Sequence, residues 1–315
     1  MKQNKSLFDK IFIIVVAVIL SIYCVLMIFP LLWGIVTSFK DASELLGIFP
    51  NKPNWMGWPK KFVTSNYELV FKFFNNPEGY SKTFYIYWGT QLVTHKWNAN
   101  FAIILINTLF YTIVGSLIQA VLPAIAGYMC VMYKNKVSSL LNVVTLTLMS
   151  LPIIGNTAAT ITLLRNLNLY DSWIGNFIQK FHFMGMYFFV FQAFFESMSN
   201  SYAEAAEVDG ASQFRVQFTI YMPLAIKMVS TIVLIYFVSC WNDYQTPYMY
   251  LPTKPTLAYV VYMFCSSGKT NIFGKRITAA HKIAACMTIA VPITILFVFL
   301  KDKIMGNISI GGVKE

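Results

Sequence analysis

Apolar residues in this chain run in long blocks rather than alternating with polar ones. Ile11 to Trp33 contains no Asp, Glu, Lys or Arg. A membrane-spanning helix needs about 20 apolar residues, and this block exceeds that. Similar blocks recur and predict six spanning helices, at about 11–37, 101–133, 138–164, 173–197, 224–248 and 278–301. A cleaved signal peptide would have an apolar core of only about 7–15 residues. The first block is longer and ends in Phe29-Pro30-Leu31-Leu32-Trp33, so a retained first span is expected. Pro30, Pro123, Pro152 and Pro292 fall inside predicted spans. Each removes a backbone hydrogen bond and bends its helix, and in lipid the freed carbonyls need partners within the protein. Bent helices leave room for a central cavity, although prolines are also ordinary in spanning helices.

The connections sort the two sides of the membrane. Residues 38–100 form one long polar and aromatic segment with Pro50, Pro53, Pro59 and Pro77 and no spanning run. The others are short, as at the basic turn Tyr133-Lys134-Asn135-Lys136. Six spans put both termini on one side. Short loops decide which side, because long ones are exempt from the positive-inside bias. Lys2, Lys5, Lys10, Lys134, Lys136, Arg215, Lys227, Lys301, Lys303 and Lys314 then lie inside, against Arg165, Lys254, Lys269, Lys275 and Arg276 outside. The expected location is the cell membrane, multi-pass, with cytoplasmic N- and C-termini.

Composition narrows the class further. Of 315 residues, 57% are hydrophobic and 12% charged, about half the charged share of a soluble domain. The net charge of +11 would suggest nucleic acid in a soluble protein. Here lysines flank spans and meet lipid headgroups, and no basic stripe interleaved with aromatics stands out, so no nucleic-acid partner is expected. Cys24, Cys130, Cys240, Cys265 and Cys286 are scattered, without a Cys-x-x-Cys pair. His95, His182 and His281 are equally dispersed. Neither a metal site nor a disulfide framework is indicated, and no catalytic residues are expected.

One polar, alanine-rich stretch between apolar blocks differs from the rest. It reads Glu204-Ala205-Ala206-Glu207-Val208-Asp209-Gly210-Ala211 and, nine residues on, Ile220-Tyr221-Met222-Pro223. The alanines favour helix and let a partner approach closely. Gly210 suits a helix C-terminal position with positive φ, and Ser212 can cap the next helix. Phe214, Phe218 and Ile220 recur on one face as an apolar ridge, and Pro223 marks entry into the fifth span. An interfacial helix lying on lipid would favour a Lys/Arg-rich polar face. This one sets Glu204, Glu207 and Asp209 against Arg215, so docking to a protein fits better.

That stretch resembles the Glu-Ala-Ala…Gly…Ile-x-Leu-Pro cytoplasmic loop of ABC importer permeases. Met222 stands where leucine is usual, and Lys227 where a second proline is frequent. The chain also resembles the maltose-type carbohydrate permeases in Ser38-Phe39-Lys40, Asn66-Tyr67, Asn168-Leu169-Tyr170-Asp171-Ser172 and Trp241-Asn242-Asp243-Tyr244 with Pro247. Its tail Gly306-Asn307-Ile308-Ser309-Ile310-Gly311-Gly312-Val313-Lys314 is similar to one that reaches between the ATPase subunits. Nearly the whole chain is covered except roughly 74–100, which reads as an insertion.

The resemblance implies an all-α membrane protein with the six-helix type I ABC importer permease fold. It divides the chain into a cytoplasmic N-terminus 1–10, a first span 11–37 and an extracytoplasmic segment 38–100. A five-helix core 101–305 carrying the cytoplasmic loop 199–222, and a cytoplasmic tail 306–315, complete it. It gives Glu204, Ala205, Ala206, Asp209, Gly210, Ala211, Phe214, Ile220 and Pro223 an ATPase-coupling role, and Gly311, Gly312, Val313 and Lys314 an ATPase-contacting one. The implied partners are an ABC ATPase dimer, a paralogous second permease, an extracytoplasmic solute-binding protein and membrane lipid. No Gly-x-x-x-x-Gly-Lys-Ser/Thr loop is present. This chain is therefore expected to bind no cofactor and hydrolyse no ATP; ATP and Mg belong to the partner subunits.

The implied substrate is a carbohydrate, an oligosaccharide above all; a non-sugar solute is the alternative. A secondary transporter would place paired ionisable residues within its spans. The few candidates, Asp243, Glu196 and Lys282, lie near predicted span ends. A membrane enzyme would need a convergent acid–base, metal or nucleophile cluster, and none stands out. Asn156, Gln192, Trp241, Asn242 and Tyr244 are the candidates for the translocation path. The same residue types also serve ordinary interhelical hydrogen bonding and packing. The aromatic-rich region 54–97 suits either contact with a binding protein or a self-packed cap.

Overall fold

The computed structural model describes residues 7–46, 52–75, 83–88, 91–96, 100–151, 155–199, 201–266 and 271–305. Helices dominate. Among the described residues, three are unbroken and long and apolar enough to cross a membrane: α1 (Leu7–Ser38), α4 (Phe101–Met132) and α15 (Ala279–Met305). They match the first, second and sixth predicted spans. The fifth is carried mainly by Ile226–Asn242, which meets the preceding Gln213–Leu224 at 69°.

The third and fourth predicted spans are not continuous helices. The third is carried by α5 (Lys136–Ser150) and α6 (Thr157–Asn166), the fourth by α7 (Trp173–Lys180) and α8 (Met186–Glu196). Gly155, with φ at 82°, lies in the first interruption, and so does Pro152, which is outside the described residues. Short side-chain acceptors start several helices. Asn100 receives the Ile103 amide at 2.9 Å, Asn135 the Ser138 amide at 3.0 Å and Ser172 the Gly175 amide at 2.9 Å.

The chain forms two compact units. In the first, Met1–Phe73 with Met263–Val291, the segment after α1 folds on itself around α2 (Ala42–Leu46) and α3 (Ser65–Asn75). Lys40 is fully buried, and its ammonium donates to the carbonyls of Asn54 and Trp55 at 2.9 and 3.0 Å. Asn66 donates to the carbonyls of Ser38 and Lys40, each at 2.8 Å. The Trp33 indole donates to Trp55 O at 2.8 Å. Such bonds satisfy a loop that has no ladder of its own, and they tie residues 38–46 to 52–68 as a small cap. Gly34 lets α15 approach, because a β-carbon there would lie 2.8 Å from Met287 Cε.

In the second unit, Phe74–Tyr262 with Pro292–Glu315, α4 is the hub. It packs against α5, α7, α8 and α12 (Ile226–Asn242). Small residues on α4 allow close approach, as lipid-embedded helices require. A β-carbon on Gly127 would sit 2.9 Å from Phe191 Cβ of α8. The segment after α3 contains an antiparallel hairpin, β1 (Thr83–Trp88) with β2 (Gln91–Lys96), in register from Thr83↔Lys96 to Trp88↔Gln91. Strand formers such as Tyr85, Ile86, Val93 and Thr94 explain it. A second, two-residue hairpin pairs β3 (Asn271–Ile272) with β4 (Lys275–Arg276). One further apolar helix, α14 (Leu257–Ser266), is too short to span.

Candidate functional site

The alanine-rich loop folds as two short helices around a turn. α9 (Ser201–Val208) ends at Gly210, whose φ is 75°. The Ala211 amide donates to Ala206 O at 2.9 Å and the Gly210 amide to Glu207 O at 3.0 Å. This paired closure caps the last carbonyls of α9, and a residue without a β-carbon occupies the left-handed position at no steric cost. Ser212 then caps α10 (Gln213–Val216), accepting the Arg215 amide at 3.4 Å. Gln213 Nε2 donates to Glu207 Oε1, tying α10 back to α9. A π turn, Gln217–Tyr221, and the short α11 (Met222–Leu224), with Pro223 in its first turn, lead into α12.

The loop's inner face is anchored to three helices at once. Ala206, Val216, Tyr221 and Ala225 are buried together with Ala120, Ala124 and Tyr128 of α4, Phe191 and Phe195 of α8, and Val229 and Ile232 of α12. Tyr128, Phe195 and Tyr221 form an aromatic trio, with Tyr128 5.1 Å from Tyr221 and 5.4 Å from Phe195 between ring centroids. The outer face is left open. Phe214 is 71% exposed and Phe218 41%, and their rings lie 4.5 Å apart. Ile220 departs from the expected ridge; it is half-buried against the core, two residues and so about 200° of helical turn past the exposed Phe218. Glu204, Ala205 and Asp209 are exposed, while Ala211 packs on the core. Beside the loop lies a concavity of about 770 Å³ lined by Lys134, Phe195, Glu196, Met198, Glu204 and Glu207 among others, three of them acidic.

The translocation-path candidates do not converge on one spot. Gln192 is buried and donates to Asn142 Oδ1 at 2.7 Å, a hydrogen bond between α8 and α5. Asn156 is exposed and starts α6 without a capping bond. Trp241 is buried and stacks on Phe237. Asn242 and Tyr244 are exposed and flank the interruption between α12 and α13 (Gln245–Tyr250). Tyr244 stacks on Tyr262 at 4.3 Å. Gly311, Gly312, Val313 and Lys314 lie outside the described residues. Missed by sequence reasoning was Tyr111, buried on α4 and bonded to Asp243 across 132 positions. Only its polar hydroxyl in an apolar block could have signalled it.

The described residues thus form a helical, apolar core with a packed loop that leaves an apolar ridge and an acidic concavity exposed. The chain belongs to the family described as the binding-protein-dependent transport system inner membrane component, whose model matches residues 119–309. It is similar to the melibiose/raffinose/stachyose import permease protein MelC of Bacillus subtilis, 26% identical over 66% of this chain and 75% of that one. It is also similar to the maltodextrin transport system permease protein MalD of Streptococcus pneumoniae, 26% identical over 66% of this chain and 74% of that one. The arabinooligosaccharides transport system permease protein AraQ of Bacillus subtilis is 22% identical over 92% of this chain and 91% of its own. A solved structure of a bacterial ABC transporter that imports the acidic polysaccharide alginate superposes with a TM-score of 0.69, at 20% identity, covering 96% of this chain and 99% of that one.

The fold is thus the type I importer permease fold. The chain is a multi-pass inner-membrane permease subunit of an ABC importer. Membership of the family implies a binding protein and an ATPase as partners.

Proposed function

We propose that this permease imports a carbohydrate, an oligosaccharide above all, handed over by an extracytoplasmic binding protein. The relatives described above carry oligosaccharides in their names, which supports the substrate class. Separate ATPase subunits binding ATP and Mg supply the energy, and a paralogous second permease completes the pathway. Both termini and residues 199–222 face the cytoplasm, and 38–100 the outside. Cysteines introduced singly at Asn75 and Ser201 then label from opposite faces; labelling of both from outside overturns this orientation.

The observation that carries the mechanism is the loop's two-sidedness. Its inner face is part of the core of α4, α8 and α12, so a push on the loop moves those helices as a body. Its outer face offers Phe214 and Phe218 to an apolar groove, and Glu204 and Glu207 to a basic group beside it. The tail residues Gly311, Gly312, Val313 and Lys314 reach the ATPase interface in the same assembly. Asn156, Gln192, Trp241, Asn242 and Tyr244 remain the path residues on this reading, with Asn242 and Tyr244 the best presented.

Proteoliposomes holding the whole importer, supplied with its binding protein and a panel of sugars, test the function. ATP-dependent uptake of an oligosaccharide is expected. Uptake that ignores ATP overturns the importer reading; ATP-driven uptake of peptides or amino acids alone overturns the carbohydrate.

A further inference from the structure

A cluster of polar groups in the second unit lies deep in the apolar part of the chain, apart from the loop. Tyr111, Gly115 and Gln119 stand four residues apart on one face of α4. Lys180 closes the last turn of α7, and Asp243 caps the C-terminus of α12. The Tyr111 hydroxyl donates to Asp243 Oδ2 at 2.5 Å, and the Lys180 ammonium stands 3.9 Å from the same oxygen. That ammonium also lies 4.8 Å from the Tyr111 ring centroid. The other carboxylate oxygen, Oδ1, accepts the Thr246 amide at 3.0 Å. Gln119 Nε2 and Lys180 Nζ reach Cys240 Sγ at 3.4 and 3.9 Å. Gly115 makes the room, since a β-carbon there would sit 3.3 Å from Lys180 Cδ and 3.4 Å from Cys240 Sγ.

Tyr111 is ten residues into α4, about 15 Å along its axis. At that depth a charged pair is costly, and apolar residues of similar volume would often hold helices as well or better. A carboxylate persists where its directionality is used. Asp243 is where the fifth span stops being helical: α12 ends at Asn242 and α13 begins at Gln245. One of its oxygens holds the start of α13 through Thr246. The other is held by α4 and α7. The interruption is therefore gripped by groups from three helices, and the exposed Asn242 and Tyr244 sit on either side of the gripped residue.

We propose that Lys180, Asp243 and Tyr111 form a charged pin that sets the break in the fifth span and so presents Asn242 and Tyr244 to the passing solute. Asp243 acts here as a positioning residue, not a contact. The part concerning solute rests on the function proposed above; the part concerning the break does not.

The test uses the complete importer with Cys24, Cys265 and Cys286 replaced by Ser, the buried Cys130 and Cys240 kept, and Asn242→Cys as reporter. Reaction with a hydrophilic maleimide is followed, and solute uptake is measured in parallel with Asn242 restored. Asp243→Asn and Lys180→Met each shift the labelling rate about fivefold or more, the effect of roughly 1 kcal/mol. Each raises the solute concentration for half-maximal uptake in parallel. The double variant falls nearer the parent than either single one, because no unpaired buried charge is left. Unchanged labelling in both single variants of normally assembled complexes overturns the pin. Altered labelling with unchanged half-saturation upholds the pin and removes 242–244 from the solute path. Should Asp243→Asn fail to assemble, Tyr111→Phe, which deletes one hydrogen bond, is read in the same way, and unchanged labelling again overturns the pin.

Discussion

Tyr221 offers the most direct measure of how tightly the loop is joined to the spans. It is wholly buried at the end of the π turn, its ring 5.1 Å from Tyr128 and 6.4 Å from Phe195. Its hydroxyl reaches Ser199 O at 3.4 Å. Tyr221→Phe removes the hydroxyl and its weak backbone contacts at Ser199 and Ala203, worth about 0.5–1 kcal/mol. Tyr221→Ala empties a ring-sized space among α4, α8 and the loop. Truncations of this size cost about 3–5 kcal/mol, a figure that already contains the two ring contacts. The ring therefore outweighs the hydroxyl several-fold. At the lower end the loop opens about a hundredfold more often. Amide exchange across 201–221 in the assembled complex reads this directly. The Ala variant is expected to exchange faster by that order and to move less solute per ATP, and the Phe variant to match the parent. Parent-like exchange and coupling in Tyr221→Ala would refute the claim that this core transmits the stroke.

Gly210→Pro is incompatible with φ at 75° and deletes the amide that bonds Glu207 O, and Glu204→Lys reverses charge on the loop's exposed face, where docking is proposed. Both are expected to uncouple ATP hydrolysis from uptake while inserting normally; unchanged uptake in both would contradict the coupling role. Deleting 307–315 is expected to spare insertion but lower transport-coupled ATP hydrolysis, and full turnover would mark the tail as an ordinary chain end. Asp41 is held below its ordinary 3.8 first by the Ser43 hydroxyl and then by the Ser43 amide, with burial opposing. Its folded value being depressed, its contribution is present above about 3.8 and is lost as pH falls through the folded value. Ser43→Ala is expected to make the cap's acid transition less steep, and identical acid titrations would exclude it.

Long blocks without charge were enough to place α1, α4 and α15, because length and apolarity are what a bilayer selects. The same signal cannot see interruptions. The blocks at 138–164 and 173–197 stay apolar through their breaks, so hydropathy is blind where the backbone stops being helical. The loop was legible because its punctuation is chemical: Gly210 allows the turn by lacking a β-carbon, and Ser212 supplies the cap with its hydroxyl. Ile220 was misplaced because it lies only two residues past Phe218, a step of about 200° that takes a helical residue to the opposite face. The Tyr111–Asp243–Lys180 cluster was hidden for another reason. Its members lie up to 132 positions apart, and no local pattern ties them together. Asp243 was visible as a charge near a span end and as part of Trp241-Asn242-Asp243-Tyr244, neither of which names its partners.

The π turn at Gln217–Tyr221 has a consequence for how such subunits diverge. A π turn holds one residue more than an α turn, a shift of about 100° in helical phase. The face carrying Phe214 and Phe218 is therefore out of phase with the face on which Val229 and Ile232 are buried. Gaining or losing that one residue would turn the outer ridge while leaving the fifth span's buried stripe in place. An ancestral duplicate could thus acquire a differently aimed ridge through a single-codon insertion or deletion, without rebuilding the helix that follows.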